Sequence, residues 1–158
     1  MSLMSLVAAA PPRVLLGVMS NPSNPRMRTQ QREWGALFAA PTGVDVRFVV
    51  GETFHNRTQP PPMEWPEIAA EQARHSDFIV VEGRERLPHV GVVTEKSASF
   101  WLRSAAAQPA YGWYCKCDDD TLVHHERLGS TLRNVTAALG AGAKVLCSTS
   151  RLYVRQRL

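Results

Sequence analysis

Apolar residues in this chain fall into short unbroken runs, separated by stretches in which they recur every three or four positions. "RVLLGVMS" (13–20) is the first such run and ends in turn-prone residues. An unbroken run of that length predicts a strand covered on both faces, as in a parallel sheet. "VDVRFVVGE" (44–52), "DFIVVEG" (77–83) and "YGWYCKC" (111–117) repeat the signature, and "AKVLCSTS" (143–150) is a possible fifth strand. Between them the period lengthens. Pro25 suits the first turn of a helix running through Arg32 to Phe38, and Pro66 opens a second over "EIAAEQARH". "VGVVTEKSASFWLRSAAA" (90–107) is the strongest helical pattern, with Ala98, Trp101, Leu102 and Ala105 predicted as its core-facing stripe. "HHERLGSTLRNVTAAL" (124–139) aligns Leu128, Leu132, Val135 and Leu139, with Gly140 as a stop. The proline triplet in "TFHNRTQPPPMEWP" predicts an irregular loop. Strand and helix alternate throughout, so the expected fold is α/β, with a mainly parallel sheet and flanking helices.

Composition narrows the class. The chain has 158 residues, 44% of them apolar and 20% charged, which suits one domain with a real core. The expected organisation is a disordered segment over 1–12, an α/β domain over 13–150, and a basic tail over 151–158. The net charge is +4, and no acid follows Glu126. Yet 15 of the 18 cations are arginines spread along the whole chain, and no aromatic platform accompanies the basic tail, so nucleic acid is not an expected partner. The opening "MSLMSLVAAAPP" has no basic n-region and too short an apolar run for a signal peptide or span, so no membrane segment is predicted. Three cysteines suggest no disulfide framework. Cys115 and Cys117, with His124 and His125 nearby, match the spacing of no common zinc module.

The chemistry concentrates at 118–120, where the fourth predicted strand runs into Asp118, Asp119 and Asp120. Ligands in such sheets bind beyond the carboxyl ends of the strands. Adjacent carboxylates repel one another unless a cation joins them. On an extended segment Asp118 and Asp120 share one side and Asp119 takes the other, leaving a D-x-D unit. Its hard oxygens suit Mg²⁺ or Mn²⁺, ions that keep open positions for a substrate's phosphates. The competing reading is an acidic surface turn or helix start. The glycine-rich signatures of P-loop and dinucleotide-binding proteins are absent from the sequence.

The blocks "RVLLGVMSNPSNPRMRTQQREWG", "VRFVVGE", "EQARHSDFIVVE", "VTEKSASFWLRS" and "YGWYCKCDDDTLVH", in this order, resemble glycosyltransferase family 31, the β-1,3-galactosyl- and N-acetylglucosaminyltransferases. The elements that carry the likeness are Arg26, Arg28 and Arg32 with Trp34, Phe48–Gly51, Glu71 with Asp77, Lys96, and Lys116 with Asp118–Asp120. They run from about residue 13 to about 135. The resemblance implies a GT-A-type, Rossmann-like fold and a Golgi hexosyltransferase whose parent protein is a type II membrane protein. It implies an inverting β-1,3 transfer from UDP-galactose or UDP-N-acetylglucosamine to a hydroxyl of a glycan or glycoprotein, with Mn²⁺ or Mg²⁺ as cofactor. Asp118 and Asp120 are its expected metal ligands, and Arg26, Arg28, Arg32, Lys116, Asp118 and Asp119 its expected donor-binding residues. The sequence departs from the family where an arginine is expected three residues before the tryptophan: it has Gln31.

Each assignment has a plainer alternative. Lys116 is either a donor contact or a sheet-edge lysine, and Lys96 a solvated helix residue. The tryptophans read as core, and His124 and His125 as the exposed first turn of a helix. An inverting transfer needs a general base. After Asp120 the only acid is Glu126, a weak candidate, and the family's acceptor-binding half has no counterpart here. The chain therefore reads as an incomplete, donor-binding part. The alternatives are a non-catalytic module that binds UDP or a nucleotide sugar, and a small α/β protein without catalysis.

Overall fold

The computed structural model describes residues 13–38, 42–54, 58–85, 93–107, 111–139, 145–147 and 152–154. The expected disordered segment 1–12 and the stop at Gly140 lie outside them. Four strands, β1 (Val14–Met19), β2 (Val44–Phe54), β3 (Phe78–Glu85) and β4 (Trp113–Asp118), form one sheet in the order β3-β2-β1-β4. All of its pairings are parallel. Helices α1 (Pro25–Ala36), α2 (Pro66–His75), α3 (Val93–Ala107) and α4 (His125–Leu139) alternate with these strands. The α/β class and the parallel sheet are as the hydrophobic pattern predicts.

β1 is central, and all six of its residues are buried. Alternation along the strand divides the core. Val14, Leu16 and Val18 face one side with Phe48, Ile68, Phe78, Cys115, Cys117 and Leu132. Leu15 and Met19 face the other side with Val49, Val81 and Phe100. Gly17 occupies the place between Leu15 and Met19. A Cβ there would lie 2.6 Å from Cζ of Phe100, so the missing side chain lets the ring of α3 lie against the sheet.

That contact corrects the expected stripe on α3. Phe100 is fully buried, with Lys96 and Ser104 at 2% and 3% exposure one turn to either side, whereas Leu102 is 78% exposed and Ala98 also faces solvent. The sequence pattern marked the apolar positions. The seat on Gly17 and a buried charge partner for Lys96 fixed a different face. On α4 three of the four expected positions face the core: Leu132 is buried, and Leu128 and Val135 pack against it, whereas Leu139 is half-buried and outside that cluster.

Elsewhere the boundaries move. β2 runs to Phe54 past an irregularity between Gly51 and Thr53, and the proline-rich stretch contains a short 3₁₀ turn at Pro62–Glu64. Proline is at home in the first turn of a helix because its missing N–H is not needed there. The possible fifth strand exists as β5 (Val145–Cys147) but pairs antiparallel with β6 (Leu152–Val154), forming a separate two-stranded ribbon. Among the described residues no helix is long and apolar enough to cross a membrane.

Candidate functional site

Strand order places β2 and β3 on one side of β1 and β4 on the other. The chain order along the sheet thus reverses between β1 and β4, the place where parallel α/β sheets bind ligands, although the helices that follow the two strands, α1 and α4, pack on the same face and meet at Gly35 and His125. Met19, the last residue of β1, is in register with Asp118, the last of β4. The β1 loop (20–24) and the acidic triplet thus lie side by side at the carboxyl end of the sheet.

The triplet is not extended. β4 ends at Asp118, and the amide of Thr121 donates to the Asp118 carbonyl at 3.1 Å, closing a turn. Alternation along a strand thus does not set the side-chain directions; the turn and its anchors do. Oδ2 of Asp119 accepts the Asn21 amide at 3.2 Å. Gln31 on α1 is buried, and its Nε2 donates to the carbonyls of Asp119 and Thr121, each at 2.9 Å. Trp34, one turn further on, donates Nε1 to the Val123 carbonyl at 2.7 Å. In the sequence Gln31 stands only as a departure from the family pattern. Here it is the main tie between α1 and the acidic turn, and no spacing rule points to that.

Asp118 and Asp120 remain exposed. Nζ of Lys116 comes within 3.9 Å of Oδ1 of Asp118, which leaves Lys116 half-buried at the sheet edge beside the turn. Among the described residues, Asp119 and Asp120 have no cationic partner. Asp119 and Asp120 also line a shallow cleft of about 410 Å³ with Met27, Gln30, Glu33, Trp34, Leu37 and Leu122. Leu37 and Leu122 are 71% and 53% exposed, so the cleft lining combines exposed apolar side chains with carboxylates. Glu33 is a carboxylate that the sequence did not bring forward.

The three arginines expected near the nucleotide separate. Arg26 is exposed on the first turn of α1. Arg28 is fully buried, bonded to Glu71 at 2.6 Å, to the Asn21 carbonyl at 2.7 Å and to Ser20 Oγ at 3.2 Å. Arg32 joins Glu71 at 2.6 Å and Asp77 at 2.8 Å. Burial pushes the Glu71 carboxyl up, but hydrogen bonds and charge from Arg28 and Arg32 outweigh it and hold it below its ordinary value. The first and third sequence blocks therefore meet as one ionic network that secures α1, α2 and the β1 loop.

Three further placements differ from expectation. Lys96 is not a solvated helix residue: at 2% exposure it pairs with Glu85 at 2.9 Å. His125 is 5% exposed rather than an open helix end, lying beside Gly35 and the ring of Phe38. Burial, and then the charge of His124, push its pKa down. Glu126 does lie exposed in the first turn of α4, but it is not among the residues lining the cleft beside Asp120.

A larger hollow of about 620 Å³ opens near Arg13, Asp45 and Asp77, at the amino ends of the strands. Parallel sheets place ligands at the opposite end, so size alone does not make it the site. Compared with known proteins, the chain matches no family model and none of the curated sequences.

Among the described residues no group of three or more His, Cys, Asp or Glu side chains forms a metal cage. Mg²⁺ and Mn²⁺ need no such cage, being held by one or two carboxylates together with substrate phosphates. Asp118 and Asp120 are exposed on either side of the bonded Asp119, so carboxylates of the kind such ions take are present at the turn.

Proposed function

We propose that this chain binds the diphosphate of a UDP-sugar through a divalent cation held by Asp118 and Asp120, as the donor side of an inverting hexosyltransferase. The observation that carries this reading is the place of the acidic turn: it lies at the carboxyl end of β4, beside the β1 loop, where the strand order reverses. The resemblance to the β-1,3-galactosyl- and N-acetylglucosaminyltransferases adds the sugar class, and a glycan hydroxyl as acceptor.

Asp119 acts as the anchor of the turn and leaves its two neighbours free for the ion. A bound Mn²⁺ or Mg²⁺ supplies neutralisation of the leaving diphosphate. Arg26, exposed on α1, and Lys116, half-buried beside Asp118, are the cations nearest the turn that can approach the donor, whereas Arg28 and Arg32 support the loop from within. The open cleft lined in part by Asp119 and Asp120 is the space available to the sugar.

A second reading, a UDP-binding module without catalysis, is favoured by the position of Glu126 away from the cleft lining. Turnover of UDP-galactose and UDP-N-acetylglucosamine, with and without an alcohol acceptor, separates the two. The transferase reading predicts Mn²⁺-dependent release of UDP that is lost in Asp120→Ala. Binding of UDP without release supports the module.

A further inference from the structure

Two buried cations beneath the β1 loop reach consecutive carbonyls. Lys96 Nζ donates to the Ser20 carbonyl at 2.8 Å, and Arg28 Nη1 donates to the Asn21 carbonyl at 2.7 Å. Each has its own carboxylate. Lys96 bonds Glu85 at 2.9 and 3.1 Å, and Arg28 bonds Glu71 at 2.6 Å. Glu85 is located in turn by the amide of Gly51, which donates to its Oε1 at 2.6 Å. Glu85 and Lys96 are each 2% exposed. A buried pair of this kind is no more stabilising than well-packed apolar residues, so its presence asks for a role besides stability.

The Ser20 carbonyl and the Asn21 N–H belong to one peptide unit. An ammonium on the oxygen draws electron density through the amide and makes the N–H a stronger donor. That N–H is the one held by Asp119 Oδ2 at 3.2 Å. We infer that Lys96, kept in place by Glu85, is a positioning residue for the acidic turn. It fixes and polarises the Ser20–Asn21 peptide, and through that peptide holds Asp119, so that Asp118 and Asp120 face outward. The consequence for cation binding rests on the function proposed above; the consequence for the Asn21 amide does not.

The test compares the full chain with Lys96→Met and with Lys96→Met combined with Glu85→Gln. The double variant removes both buried charges and leaves no charge unpaired, so it tests the inference even if the single variant fails to fold. Nitrogen–proton correlation spectra and amide exchange follow Asn21 against Leu16 in the sheet. Paramagnetic resonance follows binding of Mn²⁺ alone. In the double variant the Asn21 proton is expected to shift upfield and to exchange about tenfold faster, with Leu16 unchanged. Mn²⁺ is expected to bind about tenfold more weakly. An Asn21 amide that does not respond, or responds only in step with Leu16, overturns the inference. A native chain that takes up no Mn²⁺ while Asn21 still responds overturns the cation seat and leaves the positioning role standing.

Discussion

The backbone amide of Asn21 donates to Oδ2 of Asp119 across the gap between β1 and β4. This one bond divides the acidic triplet into an internal acid and two outward ones. Asp119→Ala therefore leaves the Asn21 amide unpaired and is expected to destabilise the fold by about 1 kcal/mol. Asp118→Ala and Asp120→Ala each remove one of several crowded charges, and should leave the urea midpoint unchanged or raise it. Urea denaturation of the three variants checks the ranking.

Stability should fall with acid in two stages. His125 is held below its ordinary value of 6.5 and Glu71 below its ordinary value of 4.5. In both cases the unfolded chain binds more protons than the folded one between the two pKa values, so stability rises with pH across that interval. The His125 contribution is complete above pH 6.5 and is lost as pH falls below it. The Glu71 contribution is complete above pH 4.5 and is lost below that value, towards its folded pKa. Midpoints measured from pH 8 down to 3 should show both stages. His125→Leu should abolish the first and keep the second.

Gly17→Ala tests the seat of Phe100. The added methyl would stand 2.6 Å from Cζ and 2.7 Å from Cε2 of a fully buried ring. Overpacking of this kind costs about 1–3 kcal/mol. Phe100→Leu in the same chain should recover part of that loss, so the double variant is less destabilised than the two single changes summed. Thermal unfolding of the four chains gives the coupling.

Cys117 should be inert in the folded protein. Burial, and then the charge of Asp118, push its thiol up to about 12, and Cys115 is buried beside it. Iodoacetamide at pH 8, followed by peptide mapping, should leave both unlabelled in the native chain and label both in urea.

The parallel sheet was legible because unbroken apolar runs have one common use, a strand covered on both faces. β1 shows this, with all six residues buried. The acidic turn was legible as a location, since a strand ending is visible in the sequence. Its geometry was not, because Asn21, Gln31 and Trp34 reach it from 88 to 98 residues away. The face of α3 was misread for the same reason. Lys96 is buried because Glu85 and the Ser20 carbonyl lie where it points, and Leu102 is exposed because Phe100 fills the space over Gly17. Local pattern records what a residue prefers, whereas long-range partners decide what it gets.

The arginines teach the same lesson. A run containing Arg26, Arg28 and Arg32 reads as a phosphate-binding cluster, but two of the three are spent on Glu71 and Asp77. Once a carboxylate lies within 3 Å, an arginine serves the fold before it can serve a ligand.

Calorimetric titration of UDP into the chain, once with Mn²⁺ and once with EDTA, tests the central claim most directly. Saturable binding that requires Mn²⁺ and disappears in Asp120→Ala is the predicted result. Binding of equal strength in EDTA, or none under either condition, would contradict the assignment of the acidic turn as a seat for a diphosphate-bridging cation.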